Sequence, residues 1–163
     1  MKTLIIYYSQ TGSTEIISQV LAHNLNADAV KIRDMKSRSG FKSKLLAPFD
    51  AYRENKTEIE PSTIDLNDYD LIYIGTPVWA SKPTPAILTI IDSIDLMGKD
   101  TILFATMSAT GGNSTIERLE EKVKARGGRV VESFTIKTKG KNTNQLITDA
   151  EIIIDILDLK IYK

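Results

Sequence analysis

The chain has 163 residues, 42% of them hydrophobic, with 21 basic residues balancing 21 acidic ones, no cysteine and one histidine. That length suits one ordinary domain with a sizeable core, so a single domain over residues 1–163 is expected, and the balanced charge argues against nucleic acid or a membrane surface as partner. Lacking thiols, the chain can build no disulfide, thiolate metal site, iron–sulfur cluster or cysteine nucleophile, and a lone imidazole argues against metal or Ser-His chemistry, so no metal site is expected.

An apolar run from Thr3 to Tyr8 stops in Ser9-Gln10-Thr11-Gly12-Ser13-Thr14, after which Ile16, Ile17, Val20, Leu21 and Leu25 recur at helical spacing. Strand, polar loop and helix are expected in that order. Ser, Thr and Gly begin many helices merely as caps, but one cap needs one acceptor, whereas this loop brings four hydroxyls around a glycine. Unpaired amides and the positive end of the dipole at a helix N-terminus favour an anion, most simply a phosphate. Neither Gly-x-x-x-x-Gly-Lys-Ser/Thr nor Gly-x-Gly-x-x-Gly occurs, which argues against a nucleoside triphosphate and the usual dinucleotide mode. With no Lys or Arg in the loop, neutral donors must bind, which suits the fixed monoester of a tightly held cofactor better than a phosphate in transfer. No basic region or cleavage site precedes the strand, and no run approaches about 18 apolar residues, so a soluble cytoplasmic protein is expected.

His23 falls on the outer side of the first helix and is expected to take no part in chemistry. A second strand, Ala29 to Arg33, alternates apolar and polar residues. Between residues 34 and 61, Phe41, Leu45, Phe49 and Tyr52 form a helical stripe that Pro48 interrupts, so a broken helix or one starting near Pro48 is expected. Lys36, Arg38, Lys42 and Lys44 form either a solvated face or a docking patch for an acidic partner or anionic substrate.

A third strand, Leu71 to Thr76, runs into Gly75-Thr76-Pro77-Val78-Trp79-Ala80-Ser81-Lys82-Pro83-Thr84-Pro85. Pro83 and Pro85 keep this loop extended, and Pro85 can occupy a first helical turn without losing a needed amide. Ile87, Leu88, Ile90, Ile91 and Ile94 supply the helix that follows. The sole Trp is thus either ordinary packing or a platform on a stiffened loop. A fourth strand, Thr101 to Met107, leads into Ser108-Ala109-Thr110-Gly111-Gly112, where the glycines make a flexible turn or let amides approach a planar ligand. Ile116, Leu119 and Val123 mark the next helix, with Ser114 and Glu117 at capping-box spacing and Gly127-Gly128 as its stop. A fifth strand, Val130 to Ile136, alternates, and a last helix from Asn144 to Leu159 covers the core.

Strands alternating with helices give a mainly parallel sheet covered on both faces. The first, third and fourth runs are nearly continuous apolar and belong in the centre, while the alternating second and fifth belong at the edges. Strand order 2-1-3-4-5 follows, with the ligand crevice between the first and third strands.

In this order the chain resembles the flavodoxins. The likeness spans essentially its whole length and rests on Ser9-Gln10-Thr11-Gly12-Ser13-Thr14, on Tyr69-Asp70 leading into Gly75-Thr76-Pro77-Val78-Trp79, and on Phe104-Ala105-Thr106-Met107 with its small-residue loop. The resemblance implies an α/β three-layer sandwich and non-covalent FMN. Ser9, Gln10, Thr11, Gly12, Ser13 and Thr14 would hold the phosphate, Thr76, Pro77, Val78, Trp79 and Ala80 would line one side of the ring, and Met107, Ser108, Ala109, Thr110, Gly111 and Gly112 the other. It implies an electron carrier between redox partner proteins, monomeric or weakly dimeric, with an FMN-dependent NAD(P)H:quinone-type oxidoreductase as the alternative. The cofactor would supply the chemistry, so no protein acid or base is expected to be catalytic. The chain departs from the family in its neutral charge and in having Met107 and Ser108 where many members place a Tyr. A non-glycine residue at Ala80 is also expected to resist positive φ.

Overall fold

Three continuous apolar runs become the three central strands. The computed structural model describes residues 1–36 and 56–162. Among them a five-stranded parallel sheet is formed by β1 (Thr3–Tyr7), β2 (Asp28–Lys31), β5 (Leu71–Pro77), β6 (Asp100–Met107) and β7 (Arg129–Lys137), in the order β2-β1-β5-β6-β7. Setting aside a pair of two-residue strands, this is the expected order 2-1-3-4-5. Each strand faces two ways, and alternate residues sort into two cores. Leu4 and Ile6 of β1, Ile72 and Ile74 of β5, and Leu103 of β6 pack against α2 (Pro85–Ser93) and α3 (Gly112–Ala125). Ile5, Tyr7, Leu71, Tyr73, Ile102 and Phe104 face α1 (Ser13–Leu25) and α4 (Thr143–Ile156) on the other side. Burial on both faces is why β1, β5 and β6 carry no polar alternation.

The edges depart from the sequence expectation. β2 leaves the sheet after Lys31: the Ile32 N–H still donates to the Tyr7 carbonyl at 2.7 Å, and the side chain is fully buried. The chain then turns so that β3 (Arg33–Asp34) pairs antiparallel with β4 (Ile59–Glu60). The expected single strand to Arg33 is thus two pieces in two sheets. The helical stripe Phe41, Leu45, Phe49 and Tyr52, and Arg38, Lys42 and Lys44 of the basic stretch, lie outside the described residues.

Two helix ends also differ from the spacing argument. Gly111, at φ 90°, caps α3 without a side-chain bond, so Ser114 lies inside the first turn and the Ser114–Glu117 spacing makes no capping box. The capping box forms instead at α4, where the Asn142 side chain accepts from the Gln145 N–H and the Gln145 side chain accepts from the Asn142 N–H, both at 2.9 Å. That helix stops at Ile156, short of the expected Leu159, and a 3-10 turn (Leu159–Tyr162) continues the chain. Pro85 does occupy the first turn of α2, and Gly127, at φ 82°, closes α3 through an N–H donated to the Lys124 carbonyl. His23 is exposed, and among the described residues no helix is long and apolar enough to cross a membrane.

The stacking of Phe104 on Phe134, with centroids 5.4 Å apart, brings the Phe104 ring over Gly75, so a Cβ at position 75 would overlap the ring. Gly75→Ala is therefore expected to destabilise the protein by about 1–3 kcal/mol through overpacking. A urea midpoint equal to that of the parent would contradict this packing.

Candidate functional site

Because β1 and β5 are neighbours and the chain winds outward from them in opposite directions, the carboxyl ends of β1, β5 and β6 bring three loops together at the switch point. These are the stretches 8–12, 78–84 and 108–111.

In the first, Gly12 at φ 102° caps α1 with no side-chain bond, a left-handed turn that favours glycine. Its N–H donates to Ser9 Oγ at 3.1 Å, so Ser9 closes the loop from within. The first helical bond is the Ile16 N–H to the Gly12 carbonyl at 3.0 Å, leaving the amides of Ser13, Thr14 and Glu15 ahead of the ladder. Glu15, the acid of this first turn, is paired to Lys31 at 2.7 Å, which offsets its repulsion of an anion. The hydroxyls divide by role. Thr14 is buried, with Oγ1 2.8 Å from Thr106 Oγ1 and its carbonyl accepting from Ser18 Oγ at 2.7 Å. Gln10 and Thr11 are exposed and Ser9 and Ser13 half-buried, and since Ser9 already accepts from Gly12, Thr11 and Ser13 are the hydroxyls left to meet an anion.

The second loop hangs on buried Thr76, whose Oγ1 accepts from the Thr84 N–H at 3.1 Å and lies 3.2 Å from Thr84 Oγ1. Pro77 and Val78 are half-buried, and the Val78 N–H donates to the Thr106 carbonyl at 2.8 Å. Trp79 and Lys82 then exchange two backbone bonds, 3.0 and 2.9 Å, around Ala80 at φ 49° and Ser81 at φ 62°. Positive φ at both central residues is the type I′ pattern that usually takes Asn-Gly. Ala80 was expected to resist positive φ; here it adopts it, at a cost of order 1–3 kcal/mol, held by the reciprocal bonds and the anchored Trp79. The indole is 9% exposed and meets Tyr8 edge-on, centroids 5.7 Å apart at 86°, as part of the core on the α2–α3 side. Ala80 itself is exposed.

In the third loop Met107 is half-buried and Ser108, Ala109 and Thr110 are exposed. A Cβ on Gly111 would lie 2.9 Å from Ser81 Cα and 3.0 Å from Val78 Cγ1, and one on Gly112 would lie 2.8 Å from Met107 Sδ and from Thr135 Cγ2. The bare faces of both glycines are filled by protein atoms. Both glycines thus permit close loop-to-loop and loop-to-sheet packing, a role beside the sequence alternatives of flexible turn or ligand approach. Thr115 donates its hydroxyl to the Gly111 carbonyl at 2.8 Å and fixes the junction with α3.

Charged groups are few here. Burial pushes the Tyr7 phenol pKa up, opposed by the Gln19 amide that donates to its oxygen at 3.3 Å. Away from the loops, in the core on the α1–α4 side, burial pushes the Tyr73 phenol up further, and its hydroxyl is the buried side-chain polar atom without a partner among the described residues. No cluster of metal-ligating side chains occurs among the described residues.

A family model described as Flavodoxin matches residues 2–154. A flavodoxin from Nostoc sp. is 23% identical over 162 residues, covering 94% of this chain and 82% of the relative. Among solved structures, a flavoprotein in complex with FMN from Lactobacillus acidophilus superposes with a TM-score of 0.67 at 26% identity, covering 82% of this chain and 92% of that one. Oxidised flavodoxin 1 from Bacillus cereus shares the fold, with a TM-score of 0.60 at 19% identity over 95% of this chain and 98% of that one.

Proposed function

Because this chain belongs to the flavodoxin family, we propose that it binds FMN non-covalently between the three loops and carries electrons between redox partner proteins. The observation that carries the proposal is the donor set of the first loop: uncharged hydroxyls of Thr11 and Ser13 beside amides that precede the helix ladder, at the switch point of the sheet. Such a set fits a phosphate monoester. The similar flavoprotein solved with FMN supports the same cofactor.

Thr76, Pro77, Val78, Trp79 and Ala80 then form one wall, and Met107 to Gly112 the other. FMN, when bound, accepts and passes on one or two electrons. Ser9 and Thr14 shape the phosphate end, Thr76 pins the Trp79 loop, and exposed Ala80, Ser108, Ala109 and Thr110 form a small, uncharged rim that a partner can approach closely. The quinone-type oxidoreductase gains no support from these relatives.

The absorption spectrum of the purified chain tests the cofactor: bands at about 375 and 450 nm, as for flavins generally, bleached by anaerobic reduction and restored by an oxidant. Colourless protein that takes up no added FMN would end the proposal. Rapid NADH-dependent quinone turnover by the chain alone would favour the oxidoreductase instead.

A further inference from the structure

Thr106 is where the three loops meet. Its carbonyl accepts from the Val78 N–H at 2.8 Å, its hydroxyl lies 2.8 Å from that of Thr14, and Met107 follows it in the chain. Both threonines are buried, at 4% and 1% exposure, and 92 residues separate them, so the hydroxyl pair ties the first turn of α1 to the end of a central strand. The same first turn carries the amides of Ser13, Thr14 and Glu15 that precede the ladder.

We infer that Thr106 is a positioning residue for anion binding: its hydroxyl holds Thr14, and through Thr14 the amides at the start of α1, in place for the phosphate. This rests on the FMN reading above and adds a residue that lies outside the Ser9–Thr14 loop. Thr106→Val keeps the shape but strands the buried Thr14 hydroxyl, so the first turn shifts to satisfy it. Thr106→Ser keeps the hydroxyl.

The test is titration of full-length apoprotein with FMN and with riboflavin, which lacks the phosphate, for the parent, Thr106→Val, Thr106→Ser, Thr14→Val and the Thr14→Val/Thr106→Val double variant. Thr106→Val is expected to weaken FMN at least about tenfold, the scale of one buried hydroxyl left without its partner, and to leave riboflavin within about twofold. Thr106→Ser should restore FMN affinity, and the double variant should lose no more than the worse single one, as for two residues acting through one contact. Equal weakening of FMN and riboflavin by Thr106→Val, an unchanged FMN affinity, or failure of Thr106→Ser to restore it would overturn the inference while leaving the FMN reading standing. A parent chain that binds neither ligand would overturn both.

Discussion

Replacing Thr11 and Ser13 together with alanine is expected to weaken FMN by about 3–6 kcal/mol, each hydroxyl that donates to a charged group being worth roughly 1.5–3 kcal/mol. Riboflavin, which presents no phosphate, should bind the variant within about twofold of the parent. The two residues are chosen because the structure separates four similar hydroxyls by what they already do. Ser9 accepts from the Gly12 N–H and Thr14 pairs with Thr106, so replacing either disturbs the loop itself, whereas Thr11 is exposed and Ser13 half-buried. Both can therefore be truncated with little effect on the apoprotein, and its urea midpoint serves as the control. Fluorescence titration with the two ligands decides the matter. Were FMN and riboflavin to weaken equally, the first loop would not be the phosphate site.

The large features of this fold are written in hydrophobic continuity. β1, β5 and β6 are buried on both faces and read as unbroken apolar runs, while the runs of β2 and β7 mix polar with apolar residues because they are less covered, and that contrast places β2 and β7 at the edges with β1, β5 and β6 between them. Helix ends were less legible, since Ser114 and Glu117 carry the spacing of a capping box without making one, and the box sits at Asn142 and Gln145. What decides between them is whether a glycine ahead of the helix can take the left-handed cap, as Gly111 does against Ser81 and Val78, and that contact depends on a loop 30 residues away. Thr106 was hidden for the same reason. It lies inside a buried strand where a Thr looks like any β-branched residue, and its role appears only once β6 stands beside the start of α1. Positive φ at Ala80 could not be read from propensity at all, because local preference opposes it and two backbone bonds between Trp79 and Lys82 hold it.

Those bonds make Trp79 a residue whose truncation should be felt strongly in the apoprotein. Trp79→Ala is expected to lower its stability by about 3–5 kcal/mol, the usual cost of removing a large buried aromatic. The indole is 9% exposed within the core on the α2–α3 side, and its edge contact with Tyr8 adds about 0.5–1.5 kcal/mol beyond area. It also anchors the turn in which Ala80 and Ser81 are strained, so its loss removes support for a conformation that is already unfavourable. Trp79→Phe should recover much of the deficit by keeping an aromatic ring against Tyr8. The FMN reading adds a second expectation: an electron-rich indole beside the ring disfavours added negative charge, so Trp79→Ala should weaken oxidised FMN and move the couple to a less negative potential. Urea melts of the apoproteins test the first expectation, and quenching of Trp fluorescence by FMN, with a redox titration, tests the second. A melt unchanged by Trp79→Ala would show that the indole supports neither the turn nor the core, whereas a large stability loss with no quenching in the parent would make Trp79 a core residue that does not line the flavin.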